Sequence, residues 1–380
     1  MQKRTTAADV RAIPVRVVIV TMDNHLSSTT ERASQRLKRE LPGLTLTMHA
    51  AAEWGSDDRA LAAAKADIAG ADIVINTMLF MEDHFLPILP ALIARRDSCD
   101  AMVCAMSAGE VTKLTRMGRF DMGKPASGPL ALLKKLRGSK SKTQTNGAAQ
   151  MKMLRRLPQI LRFIPGTAQD VRAYFLTLQY WLGGSEDNIA NMVRFLVDRY
   201  ADGPRTALRG TLKTPAPAEY PEVGVYHPTL KDGLSLADTT AGLPVAKGAK
   251  GTVGLLLMRS YLLAGNSAHY DGVIAALEAQ GLMVIPAFAT GLDNRPAIER
   301  FFLKDGQPVI DALVSLTGFS LVGGPAYNDA KAAETALAAL DVPYIAVTPV
   351  EFQTLEQWEN SDRGLLPVEA TMMVAIPELD

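Results

Sequence analysis

Residues 259–274, RSYLLAGNSAHYDGVI, place several ligand-binding side chain types in one short stretch. The guanidinium of Arg259 suits a carboxylate, and Asn266 and Ser267 mark a helix start, where unpaired backbone N–H groups favour an anion. An imidazole follows in the first helical turn, and the Tyr270 ring is suited to stacking on a flat ligand. We predict a binding site here, the alternative being helix capping and domain packing. Its candidate residues are Arg259, Asn266, Ser267, His269 and Tyr270.

Residues 179–192, QYWLGGSEDNIANM, combine two aromatic rings, a glycine pair and two acids. Gly183-Gly184 can supply the left-handed turn that ends a helix, and Ser185 is a good N-cap for the next helix. The acids after it suit the positive end of that helix. The pattern therefore predicts a corner between two helices. A binding role in which Trp181 faces a ligand is the alternative.

The stretch GRFDMGKP, residues 118–125, matches the first seven positions of a phosphate-binding P-loop. The eighth position requires Ser or Thr, whose hydroxyl ligates magnesium, but Pro125 has neither a hydroxyl nor a backbone N–H. The stretch also follows a segment predicted to be helical, AGEVTKLTRMG, whereas a P-loop follows a strand. Further along, GFSLVGGPAYNDA lacks the full G-x-G-x-x-G of dinucleotide-binding loops. We predict that this chain is not itself an ATPase.

Metal-binding patterns are weak in this sequence. None of the five histidines forms an H-x3-H or H-E-x2-H pair, and the Glu82–His84 stretch is better explained as a solvated helix start than as a metal site. Cys99 and Cys104 lack the further Cys or His that a zinc site needs, and they do not make a disulfide framework. We expect no bound metal or cofactor, and a reducing cytoplasm as the location.

The bulk composition indicates a globular protein of two or three domains. Forty basic residues balance forty acidic residues, so the net charge predicts no nucleic-acid partner. No stretch approaches the ~20 apolar residues of a membrane span. However, residues 122–169 contain ten Lys or Arg and no acid. Such a segment either binds an acidic partner or a membrane surface, or is a solvated loop. Peripheral membrane contact is therefore one of the alternatives.

Alternating strand and helix patterns, such as VRVVIVTM followed by a capped helix, predict an α/β fold with two doubly wound parallel-sheet units. A helical segment and a Pro/Gly-rich connection join these units. Tyr220, Tyr226 and His227 are expected to pin that connection, and His227 is a further binding candidate. The predicted parts are an α/β domain (1–120), a basic, partly mobile segment (121–165), a helical hairpin (166–202), the connection (203–250) and a second α/β domain (251–380) that ends with TMMVAIPELD.

Four stretches together resemble the large, porphyrin-binding (H) subunit of magnesium chelatase, which acts in chlorophyll and bacteriochlorophyll synthesis. They are residues 259–293, YPEVGVYHP (220–228), residues 179–192 and GLLPVEATMMVAIPELD (364–380). The large subunit of aerobic cobaltochelatase is similar in the shared part. One departure is that Asn294-Arg295 follow GLD where family members have Phe-Ser. Because family chains are much longer, we expect an N-terminal fragment of about the first third.

The resemblance implies that the parent protein binds protoporphyrin IX and serves as the scaffold for Mg²⁺ insertion. Both are substrates of the full complex, and ATP is hydrolysed on separate AAA+ partner subunits of the I and D type. The resemblance does not identify catalytic residues, and the fragment alone is expected to be inactive. The alternatives are a cobaltochelatase large subunit and a two-lobed binding or scaffold module without a catalytic role.

Overall fold

The computed structural model describes residues 10–55, 57–124, 156–231, 233–324 and 327–375. These residues form two compact units, the first ending at Ala218 and the second beginning at Glu219. Each unit has a mostly parallel sheet with helices on its faces, as predicted from the alternating pattern. Most of the predicted basic, mobile segment 121–165 lies outside the described residues. Among the helices that are described, none is long and apolar enough to cross a membrane.

The first unit is built on one six-stranded sheet. Its strands are β1 (Val15–Thr21), β2 (Leu44–Ala50), β3 (Ile73–Thr77), β4 (Ala101–Ala105), β5 (Arg116–Met117) and β6 (Phe120–Asp121). Their order is β2-β1-β3-β4-β5-β6, with the first four parallel and the last two antiparallel. The chain moves outward in one direction from β1 to β2 and then returns to β3 on the other side, which is the doubly wound pattern.

Helices cover both faces of this sheet. They are α1 (Ser27–Lys38), α2 (Asp58–Gly70), α3 (Glu82–Phe85), α4 (Leu89–Arg96), α5 (Gly109–Thr112), α6 (Thr167–Gly183) and α7 (Glu186–Tyr200), with 3-10 turns at Ala51–Gly55 and Gly203–Leu208. One face packs Val18, Val20 and Val74 of the strands against Ile68 of α2 and Leu92 of α4. Alternation along each strand directs the residues between these to the other face.

Helices α6 and α7 form the predicted corner and belong to the first unit. Gly184 adopts a left-handed conformation with φ of 51°, and its N–H donates to the carbonyl of Trp181 at 3.0 Å. Ser185 then caps α7, because its hydroxyl accepts from the N–H of Asn188 at 3.2 Å. The Tyr174 hydroxyl donates to the Cys104 carbonyl at 3.4 Å, which ties α6 to the sheet.

The second unit has a sheet of the same size. The strands of this unit are β7 (Val223–Tyr226), β8 (Leu236–Ala237), β9 (Thr252–Met258), β10 (Met283–Ala289), β11 (Leu303–Lys304), β12 (Gln307–Pro308), β13 (Ala312–Ser315), β14 (Gly323–Gly324), β15 (Tyr327–Asn328) and β16 (Tyr344–Ala346). The sheet order is β16-β13-β9-β10-β7-β8, in which β16, β13, β9 and β10 are parallel. Strands β7 and β8 lie within the predicted connection 203–250, and β7 pairs antiparallel with β10.

The helices of the second unit pack on the two faces of its sheet and form a hydrophobic cluster on each. They are α8 (Arg259–Leu263), α9 (Ala268–Ala279), α10 (Arg295–Ala297), α11 (Ala330–Leu340), α12 (Leu355–Glu359) and α13 (Pro367–Glu369), with a 3-10 turn at Thr240–Gly242 and π-helical turns at Ile298–Phe302 and Ala370–Ala375. Helix α9 packs Tyr270 and Ile274 on one face of the sheet. Phe302 of the π-helical turn and Leu340 of α11 pack on the other face.

The structure corrects one local prediction and defines two further stretches. AGEVTKLTRMG is helical only over Gly109–Thr112, because Arg116–Met117 pairs with β4 and β6 as a strand. HFLPILPALIARR forms two short helices, since Pro87 lacks the N–H that would continue the first helix. The described part of TMMVAIPELD is helical through Ala375 and does not extend the sheet.

Candidate functional site

The carboxyl edge of the second sheet is where its geometry favours a ligand. Strands β9 and β13 are parallel neighbours, but the chain leaves them toward opposite sides of the sheet, to β10 and to β16. Ligands of open α/β sheets bind in the crevice at such a switch point. The segments that follow the strands there are residues 259–267, 290–294 and 316–320, and the first of them is the predicted binding stretch.

Arg259 begins α8 directly after β9, but its guanidinium is directed to backbone carbonyls. Nε donates to the carbonyl of Pro221 at 2.7 Å, and Nη2 donates to that of Tyr220 at 3.1 Å. These bonds hold the chain that leads into β7 against the end of β9. A carboxylate ligand would have to compete with both carbonyls for the guanidinium, so the structure gives Arg259 a positioning role.

The N-terminus of α9 contains a hydrogen-bonded group of three residues. The Tyr226 hydroxyl lies 2.5 Å from Oδ1 of Asp271 and 2.8 Å from Oγ of Ser267. Burial of the phenol, together with its hydrogen bond to Asp271, raises the pKa of Tyr226 to about 12. Tyr226 therefore stays neutral and donates to the carboxylate. Asn266 is half-buried beside this group, and its N–H donates to the carbonyl of Tyr261 at 2.9 Å.

His269 is the exposed member of the predicted set. Its ring centroid lies 5.6 Å from that of Tyr261 and 3.8 Å from that of Tyr270. Partial burial against these rings lowers the pKa of His269 below its ordinary value, although the Asp271 charge opposes this effect. At neutral pH the imidazole is therefore mainly uncharged, with a lone pair that accepts a hydrogen bond. Tyr270 is only 2% exposed, and its hydroxyl accepts from the N–H of Met258 at 3.1 Å, so its ring packs in the core.

The two remaining candidates, His227 and Trp181, are buried. His227 is 1% exposed, with Nδ1 2.7 Å from Oγ1 of Thr229 and Nε2 3.1 Å from Oε1 of Glu278. These contacts, with buried Tyr226, pin the start of the second unit. Trp181 is a buried residue of α6 in the first unit. The structure therefore brings Asn266, Ser267 and His269 together at one helix start and places neither His227 nor Trp181 on a surface.

Sequence reasoning missed a group of hydroxyls at the end of β13 and directly after it. Ser315 and Thr317 are buried, with Oγ and Oγ1 3.0 Å apart, and Ser320 donates from Oγ to Oδ1 of Asn328 at 2.7 Å. Gly318, with φ of 70°, allows the chain to turn between them. The available signal was the run SLTGFS, in which Ser315 ends a short strand and two more hydroxyl residues, with a glycine between them, follow it.

The loop after β10 contains the residues at which the sequence departs from the resembled family. The Arg295 guanidinium donates to the Asp293 carboxylate at 2.7 and 2.9 Å. Asn294 is buried, and its Nδ2 donates to the carbonyl of Leu321 at 3.3 Å. These contacts give Asp293, Asn294 and Arg295 a structural explanation, which is to hold this loop against the segment that follows the hydroxyl group.

The weaker sequence motifs also have local explanations. Residues 118–124 of the P-loop-like stretch contribute the turn and the second strand of the β5–β6 hairpin, with Gly118 at the turn and φ of 55°, where a P-loop would run from a strand into a helix. Glu82 does begin a helix, but His84 is buried, and burial lowers its pKa. Cys99 and Cys104 are both free and buried. Within the described ranges, no cluster of three or more His, Cys, Asp or Glu residues is arranged to hold a metal ion.

Two protein-family models match this chain. Residues 16–175 match a domain of unknown function, DUF3479. Residues 178–380, slightly more than half of the chain, match the family model described as CobN/Magnesium Chelatase. The second match begins within α6 and covers all of the second unit, including the candidate site.

Individual relatives agree with the family match. The H subunit of magnesium chelatase from Cereibacter sphaeroides is 55% identical over 96% of this chain and 30% of its own length. The chloroplastic ChlH subunit of magnesium chelatase from Oryza sativa subsp. indica is 36% identical over 97% of this chain and 28% of its own length. This chain thus spans under a third of both relatives. Among solved structures, the catalytic subunit of cobaltochelatase from Mycobacterium tuberculosis is 19% identical, with a TM-score of 0.44, over 97% of this chain and 24% of that one.

Proposed function

The chain belongs to the CobN/magnesium chelatase family, and from this we propose that it is the N-terminal part of a porphyrin-binding magnesium chelatase subunit. In this proposal the whole protein inserts Mg²⁺ into protoporphyrin IX for chlorophyll or bacteriochlorophyll synthesis. The observation that carries it is the high identity, across nearly the whole chain, to the H subunit of a magnesium chelatase. The buried free thiols are in keeping with a reducing cytoplasm.

The chemistry of insertion explains why such a protein needs partners. Mg²⁺ releases its hydration water reluctantly, and two pyrrole protons must leave the macrocycle before the metal is bound. In our proposal, ATP hydrolysis on separate AAA+ subunits of the I and D type drives this step. The β5–β6 hairpin supports that division of labour, because the stretch that most resembles a P-loop does not have a P-loop's structure.

Within this chain, we assign the start of α9 as the surface that contacts the porphyrin. His269 presents an exposed, mainly uncharged imidazole, and Tyr261 packs edge-on against it. Such a pair suits a flat ring system, because aromatic rings pack against the macrocycle and an imidazole over its face can accept from the central pyrrole N–H groups. Asn266 and Ser267 add polar groups beside it. Arg259, Tyr270 and His227 support this surface from below, since their polar atoms bond within the unit.

Titration with protoporphyrin IX tests the proposal on residues 1–380. Binding is measured by quenching of the emission of Trp54, Trp181 and Trp358. We expect saturable quenching, weakened about tenfold or more in His269→Ala, which removes an aromatic contact and a hydrogen-bond acceptor. The matched control is Gln280→Ala, an exposed residue at the opposite end of α9, about 16 Å along the helix. Its binding should equal that of the unmodified chain.

Two results would contradict the proposal. Absence of quenching at tens of micromolar porphyrin would remove the porphyrin-binding role and favour a scaffold module. Equal loss of affinity in both variants would show that the start of α9 is not the contact surface. A cobaltochelatase role is the second candidate, because the family model covers both enzymes. It would be preferred if a corrin ring bound more tightly than protoporphyrin IX.

A further inference from the structure

The two six-stranded sheets end in four edge strands of very different length. Strands β6 and β8 have two residues each and β16 has three, whereas β2 has seven. An edge strand exposes a row of unpaired backbone N–H and C=O groups, which proteins commonly limit by keeping the edge short. Three of the four edges are short in this way, and β2 is not.

Strand β2 also lacks the other features that protect an edge. Its sequence, LTLTMHA, contains no Lys, Arg, Asp, Glu or Pro. It pairs residue by residue with β1, from Leu44 opposite Val15 to Ala50 opposite Thr21, so no bulge turns it away. No strand in the described part of the chain pairs with its outer side. The outer edge of β2 is therefore a regular strand edge, seven residues long, whose backbone N–H and C=O groups can pair with another strand.

A groove of about 520 Å³ lies along this edge. One wall is the start of α1, with Ser27, Ser28 and Glu31. Strand β2 contributes Thr47 and His49, and Asp67 of α2 lies at the other side. The volume is within the range of sites that hold small ligands or peptide side chains. The groove therefore places side chain contacts next to the free backbone groups of the strand.

The lining of the groove indicates which occupant it suits. Glu31 and Asp67 supply carboxylates, and neither Lys nor Arg is among the residues that line it. Oγ1 of Thr47 is buried and has no hydrogen-bond partner among the described residues. His49 holds Asp67 in place, with Nε2 2.9 Å from Oδ2. The groove thus offers acceptors and negative charge, which complement N–H donors and basic side chains.

We propose that the outer edge of β2 docks an extended polypeptide segment bearing lysine or arginine, which adds to the first sheet as a further strand. Backbone hydrogen bonds to β2 provide the affinity, as in other cases of strand addition. Basic side chains that reach Glu31 and Asp67 select the segment.

Fluorescence anisotropy with a labelled octapeptide of alternating lysine and valine tests the proposal on residues 1–380. We expect saturable binding. The same peptide N-methylated at each central residue cannot donate backbone hydrogen bonds and should bind on the order of tenfold or more weakly. The variant Glu31→Lys, at an exposed position in the groove, should weaken binding about two- to fivefold, the worth of one exposed charge pair. Glu110→Lys, an equally exposed acid outside the groove, is the matched control and should bind normally.

Three outcomes would overturn the proposal. They are no binding of the lysine peptide at millimolar concentration, equal affinity for the N-methylated peptide, and equal behaviour of the Glu31→Lys and Glu110→Lys variants. Sedimentation velocity tests the remaining candidate occupant, which is a second copy of the chain. A concentration-dependent dimer that excess peptide dissociates and that Glu31→Lys weakens would assign the β2 edge to a second copy of the chain, against the proposal.

Discussion

Gly183, at the end of α6, provides a sharp test of how the first unit is held together. A Cβ added there would lie 2.1 Å from Nδ2 and 3.0 Å from Cγ of Asn188. Asn188 is fully buried, and its side chain makes two hydrogen bonds to Ala218, donating to the carbonyl at 3.1 Å and accepting from the N–H at 2.8 Å. Substitution by alanine must therefore displace the amide and break both bonds.

The magnitude follows from two opposing effects. Loss of two hydrogen bonds that leave buried polar groups unsatisfied costs about 1–3 kcal/mol for each group. Replacing a helical glycine with alanine contributes up to about 1 kcal/mol in the other direction. We therefore expect Gly183→Ala to lower the free energy of unfolding of the first unit by between about 1 and about 6 kcal/mol.

Urea unfolding followed by the fluorescence of Trp181, two residues from the substitution, measures this change. Gly272→Ala is the matched control. Gly272 lies inside α9, and an added Cβ meets nothing within 4 Å, so the substitution should be neutral or stabilising by up to about 1 kcal/mol. If Gly183→Ala unfolds at the same urea concentration as the unmodified chain, with the Ala218 amide equally protected from hydrogen exchange, the reasoning about Asn188 is refuted.

Three further predictions concern charge and burial. Cys104 should resist a thiol reagent at pH 8 until urea unfolds the chain, because burial raises its pKa to about 12; rapid labelling of the native chain would contradict this. Glu40→Gln should lower the free energy of unfolding at pH 7 by about 1–2 kcal/mol, as measured in urea, because it leaves buried Arg194 without its carboxylate. The 43% exposure of the Glu40 side chain limits this loss. Hydrogen bonding to Arg194 lowers the pKa of Glu40. The stabilisation that Glu40 contributes is therefore present above its ordinary pKa of 4.5 and is lost as pH falls through the lowered pKa. The difference in the free energy of unfolding between Glu40→Gln and the unmodified chain should shrink accordingly at low pH. Tyr226→Phe should destabilise the second unit by about 1–2 kcal/mol in thermal unfolding, because Asp271 loses its donor, and an unchanged midpoint would refute that role.

Local chemistry made part of the fold predictable from the sequence. The run VRVVIVTM is rich in β-branched residues that favour a buried strand, and β1 occupies Val15–Thr21 within it. The corner between α6 and α7 was also predictable, because Gly184 and Ser185 carry the chemistry of a helix end and a helix start in adjacent positions. Such signals depend only on residues a few positions apart.

Long-range pairing made other parts unpredictable. Residues 223–226 lie in a stretch rich in Pro and Gly that is typical of a connection, yet they form β7. They do so because Val225 pairs with Ala287, more than sixty residues later in the chain. The order of strands in each sheet has the same origin, since no local pattern states which strand lies beside which.

The candidate site shows the same division. The sequence identified the helix start that carries Ser267 and His269, because capping and polar residue types are local signals. It carried no information on which way each side chain points. Tyr270 is directed into the core while its neighbour His269 is exposed, and Arg259 bonds to carbonyls about forty residues earlier in the chain. These outcomes depend on how α8 and α9 pack on the sheet.

The most direct test of the proposed porphyrin-binding role is hydrogen exchange of residues 1–380 with and without protoporphyrin IX. We predict that porphyrin slows exchange at the amides of residues 259–271, around the start of α9, and that His269→Ala reduces this effect at a porphyrin concentration near the Kd of the unmodified chain. Unchanged exchange across 259–271 at a saturating porphyrin concentration would contradict the assignment of this surface.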